Sequence, residues 1–303
     1  MLPMTITQRT LGPHTTVLVG DHGGRYPDGN SVVVRGADAT VLVDPSTSVA
    51  AEPPELDVDL IVLTHAHEDH VAGMFRFPHA EVHVHDDDLP GVASLDGLMQ
   101  IYGLDDDIDR AFRQTIVGEF TYVPRPDAHG FSGGTTFDLG GVRIEVVHLP
   151  GHTRGHCALL IEPDGVLITG DIDLSTFGPY YGDAWSDLDA FETSLHRVRS
   201  IEAAWYSTFH HKGVVEGHDA FVSAVDTFAA VIGDRERRMI EFAQQPRTLA
   251  DFVAHRFVYR PGVDVVFADA VERRSAQMSI ERLVRAGRLL ELDDHRWCAV
   301  ASS

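Results

Sequence analysis

The sequence predicts an α+β protein, strand-rich over residues 1–216 and mostly helical over 217–303. Two observations carry that reading. In the first part, short apolar runs alternate with Gly, Asp and Pro turns, and several of the runs stop at a histidine or an aspartate. In the second part, helix-length stretches opened and closed by capping residues take over. A chain of 303 residues that is 44% apolar can build one large domain or two.

The elements follow in chain order. Thr16 to Val19, Ser31 to Val34 and Thr40 to Val43 read as short strands, the first two parted by the turn Gly20-Asp21-His22-Gly23-Gly24. The strand Leu60-Ile61-Val62-Leu63 leads into Thr64-His65-Ala66-His67-Glu68-Asp69-His70. Side chains at i and i+2 of an extended segment point the same way, so His65 and His67 can hold one ion together. Asp69 and His70 point elsewhere, which suits a second ion; imidazole and carboxylate are the usual ligands of divalent metals. A histidine-rich surface loop is the plainer alternative. Ligand type, spacing and the strand-then-loop setting coincide against it.

Residues 80–85 form another strand, whose His83 and His85 fit a sheet edge better than a ligand set. Residues 86–135 form an insertion placed to cover the site as a lid and specificity element, with a helix from Asp105 to Val117 and a loop from Pro124 to Gly130. The strand Val142 to Val147 precedes Gly151-His152, and Ile168-Thr169 precedes Gly170-Asp171. The irregular loop after it holds Phe177, Tyr180, Tyr181 and Trp185, which reads as a pocket wall, with packing against a helix or another subunit as the alternative. Asp187 to Ile201 is an amphipathic helix. Trp205 to Phe209 then leads into His210-His211-Lys212-Gly213. Ligands at strand ends are held rigidly yet stay open to substrate.

This set resembles the metallo-β-lactamase superfamily of binuclear metallohydrolases, over about residues 15 to 215. The resemblance rests on His65, His67, Asp69 and His70, then Gly151-His152, Gly170-Asp171 and a late histidine. It implies an αββα sandwich of two mixed sheets with two divalent metal ions at one rim. His65, His67 and His152 would hold one ion, Asp69, His70 and the late histidine the other, and Asp171 would bridge them. Zinc is the expected metal, and iron and manganese suit the same ligands. The late histidine is taken as His210, the first residue past the strand, with His211 its competitor. Asp44, in a stretch resembling the family's opening hairpin, is expected to orient a ligand histidine. Relatives that hydrolyse β-lactams with a cysteine ligand would need Cys where Asp171 stands, so antibiotic hydrolysis is not expected.

Charge narrows the function. The net charge is −22; residues 231–303 sum to about +1 and the rest to −23. An acidic catalytic part repels polyanions, so nucleic acid is not the expected substrate. The C-terminal stretch ends in helices and a hairpin that resemble a winged helix. Its arginines 273, 274, 282, 285 and 288 are nearly cancelled by acidic neighbours, which fits a packing or homodimerisation module better than a DNA reader. Cys157 and Cys298 lie far apart and read as free thiols, Cys157 within an apolar strand; no apolar run is long enough for a membrane span, and no signal segment is evident. The expectation is a cytoplasmic enzyme acting on a small molecule. Lys212, the one lysine, would pair either with a substrate carboxylate or with a structural one. The expected reaction is attack of a metal-bridged hydroxide on an ester, thioester or lactone carbonyl, with Asp69 carrying the proton to the leaving group. The rivals are a nuclease or phosphodiesterase, a mononuclear-iron sulfur dioxygenase, and a non-enzymatic binding protein.

Overall fold

A computed structural model of the chain describes residues 6–260, 262–263 and 265–300. The first sheet runs β1 (Thr7–Thr10), β2 (Thr15–Val19), β3 (Ser31–Arg35), β4 (Thr40–Val43), β5 (Leu60–Val62), β6 (Glu81–His85) and β7 (His129–Phe131), in that spatial order. Strands β1 to β4 pair antiparallel and β4 to β7 parallel. The second sheet contains β8 (Thr136–Asp138), β9 (Arg143–His148), β10 (Cys157–Glu162), β11 (Val166–Ile168), β12 (Trp205–Ser207) and β13 (Val214–Glu216), ordered from β13 to β8. Within it only β11 and β12 are parallel.

The valine-rich strands are apolar on both faces because both faces are covered. Val32 and Val34 of β3 share a core with Ile144 and Val146 of β9 and with Leu159 and Ile161 of β10, between the sheets. Val33, one residue out of phase, packs on the other side with Leu98, Ile101 and Phe112 of the helices Leu95–Tyr102 and Asp106–Gly118. Beyond the second sheet, Leu167 and Tyr206 lie under Phe191 of the helix Leu188–Val198 and under Phe221 and Phe228 of the helix His218–Phe242. Helix, sheet, sheet and helix are thus stacked as the αββα sandwich.

Strand direction explains why distant motifs meet. β4, β5 and β6 run the same way, so the segments that follow them, with Asp44, His65 to His70 and Asp88, leave the sheet at one edge. β9, β11 and β12 likewise share a direction, and the chain beyond them carries His152, Asp171 and His210. Residues 124–130 were expected to be loop throughout. His129 and Gly130 instead open β7, a three-residue edge strand too short to show a period.

Residues 217–243 contain one helix, His218–Phe242. Its far end enters a separate apolar cluster, where Met239 packs with Phe252, Ile280, Leu283 and Leu289. Thr248 and Asp251 form the expected reciprocal cap, with Asp251 Oδ2 accepting the Thr248 N–H at 2.7 Å. The helix Ala268–Arg285 is followed by β14 (Leu289–Glu291) and β15 (Trp297–Ala299), an antiparallel pair. Arg282 reaches Glu192 at 2.8 Å and Glu236 at 3.2 Å, and Arg285 pairs with Asp189. No helix among the described residues is long and apolar enough to cross a membrane.

The Phe221 ring stacks on Tyr206 with centroids 3.7 Å apart. Phe221→Ala should therefore cost about 3–5 kcal/mol through lost burial and the cavity left behind. Urea unfolding checks this, with the sheet and the helix His218–Phe242 expected to lose structure together.

Candidate metal centre

Eight polar side chains converge at the rim. His65 Nε2, His67 Nδ1 and His152 Nε2 lie 2.9–3.2 Å from one another. Asp171 faces them and the neighbouring group at once: its Oδ2 is 3.3 Å from His152 Nε2, and its Oδ1 is 3.0 Å from His70 Nε2. Asp69 Oδ2 lies 2.9 Å from His210 Nε2. The side chains thus gather as His65, His67, His152 and Asp171, and as Asp69, His70 and His210. Asp44, behind them, completes the eight.

Each imidazole presents one nitrogen to the cluster because the other is held from behind. His152 Nδ1 donates to the Tyr180 carbonyl at 3.0 Å, and His210 Nδ1 to the Gly24 and Asp28 carbonyls at 3.0 and 2.9 Å. His70 Nδ1 is 3.0 Å from Asp44 Oδ2, and His65 Nδ1 is 3.2 Å from the Thr64 hydroxyl. His67 Nε2 lies 3.0 Å from Asp183 Oδ2, though not aligned as a hydrogen bond. Such partners fix the tautomer and orientation that a metal-binding histidine needs. Asp44 also accepts the Thr64 N–H and hydroxyl at 2.8 and 2.7 Å, and holds this position with a left-handed φ of 47°.

The set fits divalent cations. Ring nitrogens about 3 Å apart match bonds of about 2.0–2.1 Å to one shared ion. Asp69 Oδ2 is buried without a hydrogen-bond partner. The buried carboxylates also demand positive charge. Burial pushes His67 down, yet Asp183 outweighs it and holds the ring at about 9; His210 is likewise held at about 9 against burial by Asp171 and Asp69. Burial takes His152 down to about 3 despite Asp171, keeping it in the neutral, metal-binding form.

Two further residues brace the ligands. His156 Nε2 accepts the Asp171 N–H at 3.1 Å, while its Nδ1 donates to the Leu149 carbonyl. Gly170 sits between them with φ 53°, and a Cβ there would lie 2.7 Å from His156 Nε2. Asp88 follows β6 and accepts from Ala66 N–H, the Thr153 hydroxyl and Gly155 N–H at 3.2, 2.7 and 2.8 Å, tying the two ligand loops together across the sheets.

A cavity of about 250 Å³ opens from the cluster, bordered by His67, Asp69, His152, Asp171 and His210. Its walls come from four parts of the chain: Tyr26; Tyr102, Leu104 and Phe112; Phe177 and Tyr180; Tyr259 and Phe267. Tyr259 is placed by Glu272, a buried carboxylate that accepts the backbone N–H groups of Phe257, Val258 and Tyr259 at 2.8, 3.0 and 2.7 Å. Tyr26, Tyr259 and Phe267 carry no local motif and lie far from the ligands in sequence; Glu68, Asp88, Asp183 and His156 are isolated polar residues whose partners only the fold supplies.

Three expected pocket residues lie elsewhere. Tyr181 is buried in the core beyond the second sheet, with Phe228 and Ile232. Trp185 packs on the core beyond the first sheet, with the Arg154 guanidinium 4.8 Å from its ring centre. Lys212 is exposed in the turn after His210 and does not line the cavity. His211 is also exposed, at φ 50°, and its Nε2 is 3.9 Å from Asp173. His85 and His148 stack at 4.0 Å beside Asp87 in a separate group, but His85 Nδ1 accepts the Asp87 N–H and His148 Nε2 faces the Arg154 carbonyl. Cys157 is fully buried, and burial pushes its thiol well above the ordinary cysteine range.

Residues 24–210 match the family model for the Metallo-beta-lactamase superfamily. The chain belongs to that superfamily, and its histidine and aspartate clusters are groups that could hold metal ions. A hydroxyacylglutathione hydrolase of Aeromonas salmonicida is 29% identical over 150 residues, 48% of this chain and 42% of its own length. Thioesterase pkgB of Emericella nidulans is 23% identical over 218 residues, 69% of this chain and 51% of its own. This chain spans about half the length of the curated relatives it matches. Among solved structures, a metallo-beta-lactamase family protein from Thermus thermophilus has the same fold, with a TM-score of 0.72 at 21% identity over 96% of this chain and 100% of that one. That coverage takes in the C-terminal helices.

His210→Ala should lower bound metal by about one ion per chain, while His211→Ala leaves it unchanged, measured by elemental analysis of dialysed protein. Glu272→Gln should leave metal content intact yet speed amide hydrogen exchange at residues 257–259, because that acceptor holds their N–H groups.

Proposed function

We propose that this protein hydrolyses a small carboxylic ester, thioester or lactone, using two divalent ions at the rim of the sandwich. The observation that carries the reading is Asp171, one carboxylate turned to both ligand groups on the border of the cavity. In this reading His65, His67 and His152 hold one ion, Asp69, His70 and His210 the other, and Asp171 both. Two such ions, when bound, supply Lewis acidity and a water that ionises near neutral pH. Zinc is our first choice, with iron and manganese as alternatives.

The chain's own residues do the rest. Asp69 borders the cavity, and its Oδ2 lies 2.9 Å from His210 Nε2 without being aligned to it as a hydrogen bond, so it is the group placed to move a proton to the leaving oxygen or sulfur. Asp44 and Asp183 hold His70 and His67 in position, so these rings need little reorganisation during reaction. The aromatic walls exclude water from the reacting carbonyl. The names of the thioester-hydrolysing relatives support acyl chemistry. Phosphodiester substrates are disfavoured by the acidic cavity, and in this reading the C-terminal arginines serve packing.

Chelation followed by dialysis should abolish turnover of phenyl butyrate and its thioester analogue, and added zinc, manganese or ferrous ion should restore it. Asp69→Asn, assayed at full metal loading, should lower kcat by about 10²–10⁴-fold. Preferential cleavage of bis(nitrophenyl) phosphate would replace the acyl reading with a phosphodiesterase.

A further inference from the structure

We propose that the cavity binds an uncharged, apolar acyl or aryl group and turns away an anionic one; this rests on the hydrolase reading and names its substrate class. The first observation is the wall. Tyr102, Phe112, Phe177, Tyr180, Tyr259 and Phe267 face the cavity from three separate parts of the chain. The Tyr102 hydroxyl donates to Glu68, as does that of Tyr26 at 2.9 Å, and the Tyr180 hydroxyl donates to Asp183 at 3.1 Å. With those polar ends occupied, what these tyrosines leave for a ligand is ring surface.

The second observation is charge. Glu68, Asp173 and Asp183 border the cavity in addition to Asp69 and Asp171, and no lysine or arginine among the described residues does. The arginine nearest the aromatic loop is turned to its carbonyls: Arg235 donates to Pro179 O and Phe177 O at 2.6 and 2.7 Å from behind the loop. Arg274 donates to the Gly103 carbonyl. An anion entering would lose its hydration, meet carboxylates and find no lysine or arginine side chain. Asp69 and Asp171 would offset half the charge of the two divalent ions proposed above, and Glu68, Asp173 and Asp183 face the remainder from the cavity border. Size agrees, because a cavity of about 150 Å³ holds benzene. The 250 Å³ here suits one ring with a short linker. A glutathione thioester, with its two carboxylates, is therefore a poor occupant despite the relative of that name.

The test uses metal-loaded, full-length protein and two ketones that cannot be hydrolysed: benzylacetone and its para-carboxylate. Calorimetry should show the carboxylate binding about tenfold or more weakly than the neutral ketone. Leu104→Lys, which puts a cation on the wall without touching a proposed ligand, should narrow that gap by tightening the carboxylate. Equal or tighter binding of the carboxylate by the unsubstituted protein, no binding of benzylacetone, or an unchanged gap in Leu104→Lys would overturn the proposal. Phenyl butyrate and monophenyl succinate, assayed on the same preparation, separate the two readings. If neither is hydrolysed while the ketone preference holds, the hydrolase reading fails and the cavity preference stands. If both are hydrolysed with equal kcat/KM, hydrolysis stands and the preference fails.

Discussion

Asp171 joins the two sheets through charge. It follows β11 of the second sheet, yet one of its oxygens faces His70, which follows β5 of the first, and the other faces His152. A carboxylate in that position is stable only with positive charge on both sides. Against burial, His70 and His210 hold Asp171 well below the ordinary carboxylate range. Gly170, His156 and Asp88 serve the same end, because each fixes the backbone that carries a member of the cluster.

The acidic composition takes on a different meaning in the folded chain. A net charge of −22 suggests a surface property, namely solubility and repulsion of polyanions. Much of the relevant charge is internal. Asp44, Glu68, Asp69, Asp88, Asp183 and Glu272 are all buried. Four of these orient histidines, tyrosines or ligand loops, and Glu272 holds the loop that brings Tyr259 to the cavity. The C-terminal part is thereby coupled to the site through packing and hydrogen bonds, among them those of Arg235 to the Phe177 and Pro179 carbonyls and of Arg274 to the Gly103 carbonyl.

The metal cluster was legible because its chemistry is dense and local. Four candidate ligands fall within His65 to His70, and His152 and Asp171 each follow an apolar strand and a glycine. The layered fold was legible through its family resemblance, and its strands through short apolar runs that stop at turns, histidines or aspartates. The pocket was harder to read. In the irregular loop from Phe177 to Trp185 no period assigns faces, so Tyr180 lines the cavity while its neighbour Tyr181 enters the core. Tyr259 and Phe267 reach the site through tertiary packing, for which the local sequence holds no signal. Lys212 attracted attention by its rarity and its neighbour, but a turn after a buried ligand leads directly to solvent.

Anomalous diffraction from crystals grown with a single added divalent metal would locate the ions and count them. Two peaks are expected, one among His65, His67 and His152, the other among Asp69, His70 and His210, with Asp171 between them. One peak alone at saturating metal, or metal confined to His85, Asp87 and His148, would contradict a two-ion centre.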